Sequence, residues 1–118
     1  MMLNREEITE EFVNLVNTYY PRIRRIIDQC YVKLLECTIE RSGKHFYYIG
    51  IYYPEGLIDT LRFEQEALKE IAENMGLIEV VYINATRLVR DPLSKIKKEN
   101  PRLWLELYWV ATQHKQIF

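Results

Sequence analysis

Residues 45–56 read HFYYIGIYYPEG, with five aromatic side chains, one glycine among them and no charged group between His45 and Glu55. Tyrosine, isoleucine and phenylalanine at this density favour an extended strand, and Pro54, Glu55 and Gly56 end it as a turn. Three roles compete for the tyrosines. They pack in a central strand, they form a platform on which bases stack, or they fill a strand that once held catalytic carboxylates. Stacking platforms interleave Lys and Arg, and the strand from His45 to Tyr53 has none, so packing of the rings against a helix layer is the expectation. Gly50 then allows a close backbone approach or a bulge.

Upstream, residues 31–39 alternate with period two. Leu35, Cys37 and Ile39 share an apolar side, and Glu36, Thr38 and Glu40 the other. Ser42 and Gly43 suit a two-residue turn, because glycine accepts positive φ. The predicted register sets Ile39 opposite Phe46, Cys37 opposite Tyr48 and Glu40 opposite His45. Glu36 and Glu40 lie ~13 Å apart on a strand at about 3.3 Å per residue. With His45 they read as a surface ion pair rather than as a metal site or an active site, the other roles open to them.

Downstream, Asp59 is a candidate N-cap for a helix burying Leu61, Leu68, Ile71, Ala72 and Met75, with Gly76 as its stop. The run LIEVVYIN, residues 77–84, is short, β-branched and almost continuously apolar, which predicts an inner strand covered on both faces. Asp91 before Pro92 and Asn100 before Pro101 each pair a capping side chain with proline at a first helical position. They predict two closing helices, the second spanning 101–114, with His114 at its end. At the other terminus, Asn4 and Glu7 form a capping-box-like start, followed by Ile8, Phe12, Leu15, Val16 and Tyr19 at helical spacing. Pro21 kinks this helix or opens a second, with Ile23, Ile26 and Ile27 inward and the arginines of residues 22–25 outward.

The order predicts one α+β domain over 1–118, an α/β sandwich. Its small mixed sheet has a β-hairpin at 31–53 and an inner strand at 77–84, packed against helices that include the one at 101–114. A length of 118 residues, 48% apolar and 28% charged, is enough to bury a core. The net charge of −1 argues against general phosphate-backbone binding. Its distribution is polar: residues 55–79 carry seven acids against Arg62 and Lys69, and residues 87–115 carry seven bases against Asp91, Glu99 and Glu106. Cys30 and Cys37 lack metal-binding spacing and read as buried free thiols. No signal peptide or apolar span is evident, so a cytoplasmic protein is expected, without a membrane association and without a cofactor.

The segment LWLELYWVA, residues 103–111, is apolar around nearly the whole helix. Either the helix is buried in mid-layer, or its second face, with Leu105, Tyr108 and Trp109, meets another chain. The alternative class is a nucleic-acid binding module that uses the tyrosine strand with Arg22, Arg24 and Arg25 or with Lys95, Lys97 and Lys98.

The run from Tyr48 to Tyr108, with IEVV at 78–81 and Asp91, Pro92 and Leu93 after it, resembles the second half of minimal nucleotidyltransferase domains of the polymerase-β superfamily, including antitoxin-like members. In that family a G-S turn precedes a strand carrying two aspartates that hold metal ions for nucleotidyl transfer. Here the resemblance sets Phe46 and Tyr48 at the aspartate positions, Glu79 at the third acidic one, and CTIERSGK in place of the G-S turn. It implies a noncatalytic member with no catalytic residues and no metal site. It further implies a homo-oligomer or a small helical protein as partner, docked on the helix that begins at Pro101.

Overall fold

The computed structural model describes residues 4–113. Helix α1 spans Arg5–Tyr19, and a 3-10 turn, Pro21–Ile23, leads into α2, Arg24–Ile27. Strands β1, Tyr31–Ile39, and β2, Lys44–Tyr53, form the hairpin. Next come α3, Ile58–Phe63, α4, Gln65–Asn74, and β3, Val80–Asn84. Helices α5, Ala85–Arg90, α6, Ile96–Glu99, and α7, Pro101–Thr112, follow, and residue 114 lies outside the described residues. The α+β fold with a mixed sheet and packed helices is as the sequence predicts.

Strand order is β1-β2-β3, with β1 antiparallel and β3 parallel to β2. The strand expected in an inner position is therefore an edge strand. Its apolar run has another cause, since helices lie over both faces of the sheet. Val80 and Tyr82 enter one core, and Ile83 the other. The central strand is β2, where every residue from Ile49 to Pro54 is buried.

The first face carries Leu34, Ile49, Ile51 and Val80, and it packs on Phe12, Val16, Ile23, Leu61 and Leu68. The second carries Tyr52, beneath Ala85, Leu107 and Val110. Tyr31 stands beside Tyr52 with ring centroids 6.0 Å apart. Burial pushes both tyrosine pKa values up. Tyr52 and Tyr53 are thus core residues, as the packing reading of the strand requires.

The hairpin register differs from expectation. Ile39 pairs with Lys44, Cys37 with Phe46 and Thr38 with His45, a slip of two residues. The loop is four residues long, and Gly43, at φ 68°, closes it by donating to the Ile39 carbonyl at 2.8 Å. A slip of two keeps every side chain on its expected face, whereas a slip of one would invert them all. The deepest β1 residue is Leu34, on the same face as Glu36 and Thr38, while Ile39 and Cys37 are exposed. Only Cys30 is the buried thiol expected; burial raises its pKa to about 12.

Three helical expectations need correction. Leu57, not Asp59, precedes α3, and Asp59 lies in the first turn without capping. The long helix after it breaks at Glu64 into α3 and α4. No helix opens at Pro92: the Asp91 carboxylate instead accepts from the Leu93 amide at 2.9 Å, forming a turn after α5, which Asn84 caps by accepting from the Arg87 amide. Tyr19, at the end of the predicted apolar stripe of α1, is exposed. Elsewhere the signals hold. Asn4 accepts from the Glu7 amide at 2.8 Å and Asn100 from the Leu103 amide at 3.2 Å. Gly76, at φ 82°, ends α4 with its amide donating to the Glu73 carbonyl and that of Leu77 to the Ala72 carbonyl.

Candidate functional site

Helix α7 starts where Asn100 and Pro101 satisfy and pre-set the first turn. Leu107 and Val110 are fully buried against the second face of the sheet and α5. The other side of the helix lies in solvent. Leu105 is 62% exposed, Trp109 53% and Tyr108 47%, and Glu106 is the only charge between Leu103 and Thr112. The helix is therefore buried along one side and exposed along the other.

The aromatic surface is ordered from within. Trp104 and Tyr108, four residues apart, stack with ring centroids at 5.1 Å, and the Lys97 ammonium lies 4.7 Å from the Trp104 centroid. Cation–π attraction on the ring's negative face adds ~0.5–1 kcal/mol at such an exposed site. Trp104 was not among the expected contact residues; its four-residue spacing to Tyr108 was the available signal. The Gln113 amide donates to the Gln29 carbonyl at 2.7 Å and holds the far end of α7 against the start of β1.

Phe46 and Tyr48 point to the second face of β2, half-buried. Register pairs Ile49 with Val80, so one step back sets Glu79 beside Tyr48 on that same face. The Ile49 amide donates to the Glu79 carbonyl at 3.0 Å and extends the ladder to this residue. Leu35 lies across Gly50, where a Cβ would stand 2.8 Å from its Cδ1. The close contact at Gly50 is thus made by a side chain, in place of the backbone approach or bulge expected there, and the pairing runs through it without interruption. Among the described residues, no three His, Cys, Asp or Glu side chains converge as metal ligands would.

Glu36, Glu40 and His45 do not assemble as predicted. Glu40 sits in the hairpin loop, and the His45 imidazole meets Glu36 instead. Glu36 also pairs with Arg5 of α1, and the Tyr47 hydroxyl donates to it at 3.4 Å. The hydrogen bond from His45, then that from Arg5, holds the Glu36 pKa below the usual carboxylate value. A depressed folded-state pKa means that the contribution is present above the unfolded value and lost as pH falls through the folded one. Expected result: the Glu36 carboxyl titrates by NMR below ordinary glutamates, and His45→Ala moves its midpoint upward. An unchanged midpoint would remove His45 as the cause.

The basic residues are split. Arg22, Arg24 and Arg25 lie on the helical layer over the first face of the sheet, and Lys95, Lys97 and Lys98 on the layer over the second. Arg22 is engaged with Glu64 at 2.9 and 3.3 Å, and Arg24 lies 4.0 Å from Asp28. The two clusters named for nucleic acid do not form one surface.

No protein-family model, curated protein or solved structure matches the chain. Among the described residues, no helix is long and apolar enough to cross a membrane.

Proposed function

We propose that the chain works by protein association, as a noncatalytic nucleotidyltransferase-like domain whose exposed α7 side docks a second copy of itself. The observation that carries this reading is the side of α7 bearing Leu105, Tyr108 and Trp109 in solvent. Aromatic residues are enriched in the cores of protein interfaces and charged ones depleted, which is the composition found here. The face positions of Phe46, Tyr48 and Glu79 support the noncatalytic part. Two of the three positions that the resemblance equates with metal-holding acids carry rings, and a single carboxylate cannot hold two ions for in-line transfer. Two free thiols, Cys37 among them exposed, suit the reducing cytoplasm as the setting.

Light scattering tests the reading. The unmodified chain is expected to associate at micromolar concentration, and Trp109→Glu to yield monomer with an unchanged circular dichroism spectrum, because the substituted side chain faces water. A helical partner replacing the second copy would appear as heteromer formation sensitive to the same substitution. A strictly monomeric chain that binds no partner through α7 overturns the proposal.

A further inference from the structure

The outer edge of β1 lies open. The sheet order leaves β1 with one strand neighbour, so alternate N–H and C=O groups along it point away from β2. Natural edges are blunted by shortness, proline, bulges or a covering element. Strand β3, the other edge, has five residues, whereas β1 runs nine without proline or interruption in its pairing. Among the described residues, no backbone hydrogen bond reaches the outer edge of β1.

Two concavities follow this edge, of about 440 and 540 Å³, and they share Thr9, Glu10 and Val32. Together they make one groove between α1 and the start of β1, and it continues past Tyr31–Leu34 to the first turns of α7. The α1 side has an apolar floor of Val13, Ile27 and Val32 beneath Glu6, Glu10 and Asp28. Arg5, the base lining this side, is turned to Glu36, and Arg24 lies 4.0 Å from Asp28, so Glu6 and Glu10 carry the rim's charge. The α7 side carries one base in excess, Lys33 and Arg102 against Glu106, around Tyr31 and Leu103.

We propose that this groove receives an extended, basic peptide segment as a fourth strand on β1. An added strand sends alternate side chains to opposite faces. Those directed at α1 meet an apolar floor under an acidic rim, which suits lysine or arginine, whose stems cover apolar surface while the head stays in water. Those directed at α7 meet Tyr31 and Leu103, which suits valine or another apolar residue. Main-chain pairing supplies affinity and the alternation supplies selectivity. A second copy fits this edge badly. Two β1 strands related by a two-fold axis would set α1 against α1 and bring Glu6 and Glu10 toward their own counterparts. The site does not include the Leu105, Tyr108 and Trp109 surface of α7 and does not rest on the proposal made for it.

The probe is a fluorescein-labelled Lys-Val-Lys-Val-Lys-Val peptide, followed by anisotropy on the full chain. Its Glu-Val counterpart and a version N-methylated at alternate residues serve as controls. Saturable binding is expected for the parent peptide, weakened about tenfold by the joint change Glu6→Gln and Glu10→Gln, which removes two exposed ion pairs. N-methylation, which deletes donors but keeps charge, should abolish binding, and Trp109→Glu should leave it intact. Equal binding of the N-methylated or Glu-Val peptide overturns the proposal, as does absence of binding up to about 1 mM. The N-methylated arm uses the unmodified protein, so no folding defect can mimic the result.

Discussion

Leu107→Ala will destabilise the chain by about 2–5 kcal/mol, the range for a buried leucine truncated to a cavity-lining methyl. Leu107 is fully buried and, with Val110, joins α7 to Tyr52 and Ala85. Among the described residues, the hydrophobic core on this side of the sheet has four buried members, so few neighbours remain to close the void. Two residues along the helix, Leu105 is mostly exposed. Leu105→Ala will cost under about 1 kcal/mol in folding, as surface changes do, and its effect will fall on association. Urea denaturation of both variants, at one protein concentration low enough to keep them monomeric, separates the two sides of the helix. Similar midpoints for both would mean that α7 is not anchored as described.

The second large effect lies at the break between α3 and α4. Glu64 has a side chain only 7% exposed and is held by Arg22 through two hydrogen bonds. Its own carbonyl accepts from the Leu68 amide, so the residue also starts α4. Arg22→Ala leaves that carboxylate with no partner in a nearly dry site. The expected cost is about 1–3 kcal/mol, toward the lower end because the guanidinium itself is largely exposed and screened. Arg22 also lies over the Tyr20 ring at 5.2 Å, and that contact goes with it. Arg24→Ala, which removes a 4.0 Å contact between exposed partners, should cost ~0–0.5 kcal/mol. Thermal melts of the two variants give the comparison, and equal melting temperatures would mean that the Glu64 pair contributes nothing.

Legibility from sequence followed the physics of each signal. Caps were readable where a side chain and proline act together: Asn100 with Pro101 gave the start of α7, and Asn4 with Glu7 that of α1. Strand β1 has its predicted bounds, though its burial does not follow the alternation of residues 35–39, since Leu34 is the deepest residue and Cys37 and Ile39 are exposed. The order of strands was not readable. Side chains report which faces are covered, whereas an edge is defined in the hydrogen-bonding direction, and Val80–Asn84 is apolar on both faces while lacking a neighbour on one side. Asp91 and Pro92 carried the same signal as Asn100 and Pro101, yet the Asp91 carboxylate went to a turn, a local competition that composition does not decide. On the α7 surface, Leu105, Tyr108 and Trp109 were legible as excess apolar residues, whereas the groove beside β1 was not. Its acids come from α1 and from Asp28, far apart in sequence, and only the packing of α1 on the sheet aligns them.

The central place of β2 has a consequence during synthesis. Its hairpin partner comes immediately before it in the chain, but the strand that pairs with its other side is not complete until residue 84 has emerged. Until then a nascent chain displays one uncapped flank of a very apolar ribbon, Ile49 to Tyr53. Incomplete chains of this kind are the ones that chaperones meet and that aggregate when left alone. Truncation between Gly76 and Val80 should therefore yield inclusion bodies rather than a smaller folded protein.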